Sequence, residues 1–99
     1  MIKVIVERRL KEGGNPMHLL RDLRTAAMHY PGYVTGETLV NTKDKTAITV
    51  ISTWRSLEDW QAWEASATRA DIYKLIDPLL AKEPKVRIYQ IAATEETRG

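Results

Sequence analysis

Ninety-nine residues, 43% of them hydrophobic and 28% charged, suffice for one small domain with a single core. A net charge of +2, with basic and acidic residues interleaved, leaves no basic run that tracks a phosphate backbone, so nucleic acid is not an expected partner. The absence of cysteine excludes disulfides, thiolate catalysis and cysteine-ligated metals.

Residues 2–10 are rich in β-branched side chains and read as a strand. Alternation puts Ile2, Val4, Val6 and Arg8 on one face and Lys3, Ile5, Glu7 and Arg9 on the other. No charged region followed by a long apolar stretch marks a signal peptide, and no apolar run approaches the ~20 residues that cross a bilayer, so a cytoplasmic, membrane-free protein is expected. A loop over 11–14 leads to Asn15-Pro16, a cap followed by a residue suited to the first helical position. The helix is predicted over 16–30, with an apolar stripe of Met17, Leu20, Leu23, Ala27 and Tyr30, and Pro31-Gly32 ends it.

Residues 33–41, interrupted by Gly36, and 46–54 read as two strands joined by the polar turn 42–45, a hairpin. Ser56 caps a second helix, with Asp59 in the capping-box position and Leu57, Trp60, Trp63 and Ala67 on one side. That helix is expected to break near Ala67-Thr68, then carry Ile72, Leu75, Ile76 and Leu79 until Pro78 ends or kinks it. Residues 85–93 form the last strand, and 94–99 a polar tail beyond a single domain over 1–93.

The order β-α-β-β-α-β is the ferredoxin-like α+β plan, with both helices on one face of a four-stranded antiparallel sheet. Its other face carries Ile5, Ala47 and Ile51 among threonines and charges, a mixed surface that suits packing against a second copy. A homodimer is therefore expected.

Few residues carry obvious chemistry. His18 and His29 lie eleven residues apart on the first helix, about 16 Å along its axis, too far to share a metal, and both oppose the Leu20 stripe. Gly13-Gly14 lacks the spacing of a phosphate-binding loop. The informative stretch runs from Trp54-Arg55-Ser56 into a helix carrying Trp60 and Trp63. Trp60 sits mid-stripe and reads as core; Trp63, at the stripe's edge, fits core and pocket equally well.

A strand ending in Trp54-Arg55-Ser56, a helix with Trp60-Gln61-Ala62-Trp63 and Ser66 three residues on, the early Pro31-Gly32-Tyr33 and the Glu37 that follows resemble the antibiotic-biosynthesis-monooxygenase family. The resemblance spans about residues 2–92 and implies a dimeric α+β barrel of two ferredoxin-like units. Some such proteins are oxygenases that need no cofactor and act on phenolic or quinol-type aromatics; relatives degrade haem; others have no known activity.

The haem branch has an Asn near the end of the first strand, a Trp on the second helix and a ligating His ten residues later. Here Arg8, Trp63 and Tyr73 stand at those positions, so only Trp63 matches, with the Tyr73 phenolate as a substitute iron ligand. The cofactor-free branch fits better: Arg8 would hold a substrate oxyanion, Trp63 stack on its ring and Tyr73 donate a hydrogen bond. The expectation is thus a monooxygenase of a small aromatic molecule with Arg8, Trp63 and Tyr73 as catalytic residues, no cofactor and no metal. The alternatives are a non-catalytic ligand-binding dimer and a haem-binding relative. Arg8 has its own alternative, an ion pair with Glu37 or Glu64. No general base stands out.

Overall fold

The structure, a computed structural model, describes residues 1–97; Arg98 and Gly99, the end of the expected tail, lie outside the described residues. Four strands, β1 (Ile2–Arg9), β2 (Tyr33–Val40), β3 (Ala47–Trp54) and β4 (Lys85–Gln90), form one antiparallel sheet in the order β2-β3-β1-β4. Three helices, α1 (Met17–Met28), α2 (Leu57–Glu64) and α3 (Ala67–Ile76), with a 3-10 turn at Asp77–Leu79, complete the ferredoxin-like α+β fold.

Register assigns the two faces. Val4 pairs with Ser52, Val6 with Val50 and Arg8 with Ile48, which puts these side chains under the helices; Ile5 pairs with Ile51 and Glu7 with Thr49 on the outer face. Ile2, Val4, Val6, Ile48 and Trp54 of the sheet meet Leu20, Leu23, Ala27, Trp60, Trp63 and Ile76 of the helices in one core. Each fully buried aliphatic side chain there contributes roughly 1.5–3 kcal/mol. Trp54 is gripped edge-to-face by Tyr33 and Trp60, ring centroids 5.3 and 5.8 Å away, and its indole N–H donates to Ser52 Oγ at 3.0 Å.

The helices differ from the sequence reading in instructive ways. α1 begins after Pro16, and the capping acceptor is Asn15 Oδ1, which takes the Met17 N–H at 3.3 Å. It ends at Met28, two residues before Tyr30. The second helix breaks at Ala65-Ser66, earlier than Ala67-Thr68, because Ser66 caps a new helix by accepting the Arg69 N–H at 3.2 Å. Ser56 does the same for α2 through the Asp59 N–H. Met17, Leu57, Ala67 and Leu75, all assigned to apolar stripes, are exposed; on α3 the core takes Ile76 instead of its neighbour Leu75. β4 stops at Gln90 rather than residue 93, and all six of its residues are exposed.

Two glycines are required by contacts. Gly32 opens β2 at φ +88°, a conformation costly for other residues, and any side chain there would strike the Asp59 carboxylate. Gly36 lets the Tyr33 hydroxyl lie across the strand where a Cβ would stand. Among the described residues no helix is long and apolar enough to cross a membrane.

Candidate active site

A cavity of about 50 Å³ lies between the sheet and the helices. Val6, Arg8 and Ser52 give its floor from β1 and β3, Leu20 and Leu23 of α1 one wall, Trp60 and Trp63 of α2 another, and Arg69 of α3 closes it. Trp54, Tyr33 and Gly36 border it from the β2 side. The lining is mostly apolar and aromatic, the character of small-molecule sites, although the volume corresponds only to a few water-sized spaces.

Arg8 is the unusual member. Strand alternation carries it inward with Val4 and Val6, leaving it 5% exposed. A buried guanidinium ordinarily finds a carboxylate. This one has none: the salt bridges among the described residues belong to Arg9, Arg21, Lys74 and Arg87, so pairing with Glu37 or Glu64 does not occur. Glu37 reaches the cavity rim, but its register opposite Ile51 puts its side chain on the outer face. Arg8 Nη2 donates to Tyr73 Oη, while Nε and Nη1 have no partner.

Tyr73 is held in turn by Arg69, one helical turn earlier on α3, whose guanidinium carbon lies 4.2 Å from the Tyr73 ring centroid and 5.9 Å from that of Trp60. Arg69 is half-buried and also lines a wider surface depression of about 310 Å³ with Tyr73, Asp77, Glu83, Pro84 and Val86. Arg69 is thus the wall shared by cavity and depression. Of the three site residues expected from sequence, Arg8 and Trp63 line one cavity. Tyr73 faces the depression and touches the cavity through Arg8.

Trp63 is both core and pocket wall: it is buried, packs edge-to-face on Tyr30 with centroids 4.9 Å apart, and still borders the cavity. Hydrogen bonding to Ser66 and Thr68 lowers the pKa of the Tyr30 phenol. Burial raises that of Tyr33, partly opposed by the nearby Arg24 charge. Arg24 itself is exposed and donates to Thr38 Oγ1 at 3.4 Å at the cavity's outer edge.

Arg69, Tyr33 and Arg24 were not expected from sequence. The i, i+4 spacing of Arg69 and Tyr73 was the available signal for the first; the other two are brought in by the sheet. His18 on α1 and His29 just after it are exposed and do not line the cavity, and no group of three or more metal-type side chains occurs among the described residues.

A four-stranded ferredoxin-like sheet with a buried guanidinium and paired tryptophans beneath its helices defines a class of small α+β proteins with an internal aromatic pocket. The profile of the family described as antibiotic biosynthesis monooxygenase matches residues 1–75, and the chain belongs to that family. Solved structures share the fold. A candidate antibiotic biosynthesis monooxygenase from Nitrosomonas europaea superposes with a TM-score of 0.86 at 18% identity, over 94% of this chain and 100% of that one. SnoaB from Streptomyces nogalater, a cofactor-independent oxygenase, does so at 0.83 and 11% identity, over 94% of each chain. A conserved protein from Methanosarcina mazei gives 0.82 at 19% identity over 90% of each. No curated protein matches the chain in sequence.

Proposed function

We propose that the protein is a cofactor-independent monooxygenase of a small aromatic or quinol-type substrate. The observation that carries this reading is the buried, carboxylate-free guanidinium of Arg8 on the floor of a tryptophan-lined cavity. In such a reaction the substrate supplies the electrons. A ring CH₂ that loses a proton to give a resonance-stabilised anion reacts with dioxygen; the carbon becomes C=O and the second oxygen atom leaves as water. Arg8 holds the oxyanion in a site of low dielectric, where a fixed charge acts strongly. Trp63 provides a face for the ring, and Tyr73 orients Arg8 from behind. Family membership and the shared fold with a cofactor-independent oxygenase support the reading.

Two features weigh against a haem site. The Tyr73 hydroxyl already accepts a hydrogen bond from a cationic guanidinium, and the cavity is far smaller than a macrocycle.

One observation favours a second reading, a ligand-binding dimer without turnover: among the described residues no histidine or inward-facing carboxylate lines the cavity to take the substrate's proton. Oxygen-electrode assays with a panel of anthrones and quinols separate the two. Substrate-dependent uptake, lost in Trp63→Ala, is expected; a folded protein inert to the whole panel favours the binding role.

The homodimer is part of this proposal. The outer sheet face offers Ile5, Ala47 and Ile51, and Leu39 and Tyr89 of β2 and β4 are exposed beside them. Light scattering should give twice the chain mass at micromolar concentration; a single-chain mass would refute it.

A further inference from the structure

We infer that the ligand of this cavity is a planar acid that arrives already ionised, an arenecarboxylate or an acidic phenol or enol, with its oxyanion seated on Arg8. The inference rests on the reading of this cavity as the ligand site and adds the charge state of what fills it. Three buried side-chain polar atoms lack a hydrogen-bond partner among the described residues: Arg8 Nε, Arg8 Nη1 and Trp60 Nε1. All three are donors, and both residues line the same cavity. Leaving such groups unpaired is costly, so the complement they require is a group of acceptors.

Charge points the same way. Arg8 is buried with its charge uncompensated, Arg69 adds a second guanidinium and Arg24 a third at the edge, while the one carboxylate at the rim, Glu37, turns to the opposite face. An anion neutralises this field; a neutral ring does not. The missing base completes the argument. With no histidine or inward-facing carboxylate at the cavity among the described residues, a neutral phenol bound here has no side chain to take its proton, whereas a ligand acidic enough to be an anion at neutral pH needs none.

The cavity as it stands admits an oxyanion head but not a ring. A ring enters only if Arg69, whose guanidinium rests over the rings of Tyr73 and Trp60 and which also borders the open depression, is displaced. Displacing it joins the two spaces and keeps the ring against Trp60 and Trp63.

Three tryptophans border the cavity, so intrinsic fluorescence reports occupancy. The full-length protein is titrated with benzoate, with its neutral isostere benzamide, and with 4-nitrophenol at pH values on either side of its ionisation. Benzoate should bind about tenfold or more tightly than benzamide, the effect of one charge-assisted contact, and 4-nitrophenol should tighten as it ionises. In Arg8→Gln the benzoate preference should collapse towards unity, and in Arg8→Lys it should persist in part. Circular dichroism and urea midpoints establish that both variants are folded.

Equal affinity for benzoate and benzamide, an unchanged preference in Arg8→Gln, or no saturable quench by any probe up to millimolar concentration overturns the inference. Failure of the oxygenase reading is distinguishable. A protein that prefers benzoate through Arg8 yet consumes no oxygen with any quinol keeps the anion site and loses the enzyme. One that oxidises a neutral quinol equally well as Arg8→Gln keeps the enzyme and loses the anion site.

Discussion

Replacing Arg8 by Met tests the energetic premise of the site without any ligand. The wild-type side chain is 5% exposed, carries a charge with no carboxylate partner among the described residues, and leaves Nε and Nη1 unbonded there. Each unpaired buried donor costs roughly 1–3 kcal/mol, and replacing buried ionic groups by apolar ones of similar volume has stabilised other proteins by about 1–4 kcal/mol. Against that stands the loss of the Tyr73 contact, which is cheap because Tyr73 is half-buried and borders the open depression, and a small void where the guanidinium head stood. The net expectation is a gain of about 1–3 kcal/mol for Arg8→Met, which at this chain length raises Tm by roughly 4–8 °C per kcal/mol. Urea unfolding followed by tryptophan fluorescence and circular dichroism, at fixed protein concentration, gives the difference. A destabilisation of about 1 kcal/mol or more would refute the reasoning, because Arg8 would then be satisfied within the free protein and would not be held in reserve for a ligand.

Three other outcomes are expected. Gly36→Ala should destabilise by about 1–3 kcal/mol because the new methyl meets the Tyr33 hydroxyl, and the cost should shrink in a Tyr33→Phe background; equal costs in both backgrounds would exclude that contact as the cause. Ser66→Ala should cost about 1 kcal/mol in urea unfolding through loss of the α3 cap, whereas an effect below a few tenths would mean that the Arg69 N–H finds another acceptor. Burial raises the pKa of Tyr33, so its contribution to stability is intact below the unfolded value near 10 and is lost as pH climbs through the higher folded value. An alkaline denaturation series should therefore show a fall that Tyr33→Phe removes, and an identical fall in the variant would rule Tyr33 out.

Local chemistry made much of this molecule legible in advance. Alternation in residues 2–9 puts Arg8 on the face of Val4 and Val6, since strand side chains have a period of two whatever they pack against. Ser56 marks a helix start because its hydroxyl can satisfy an N–H three residues on, a purely local bond. Pro31-Gly32 marks the turn into β2 for an equally local reason, the positive φ of Gly32. The element order, the antiparallel sheet and the family followed from such features.

What depended on distant neighbours was not legible. Met17, Leu57 and Leu75 carry the right spacing for buried stripes, but spacing specifies only a helix face, and burial needs another element to cover it. The isolation of Arg8 is the clearest case. Sequence offered Glu37 and Glu64 as counter-ions, and the pairing of Glu37 with Ile51 turned the nearer candidate to the wrong side of the sheet. Tyr73, sixty-five positions along the chain, reaches Arg8 only because α3 folds back over β1, and Arg69 comes with it by helical periodicity. The sequence by itself determined that Arg8 points inward with Val4 and Val6, and the structure brought Trp60 and Trp63 to the same cavity. Only the tertiary structure decided that no carboxylate among the described residues pairs with Arg8, because charge compensation between residues far apart in sequence is a property of register and packing.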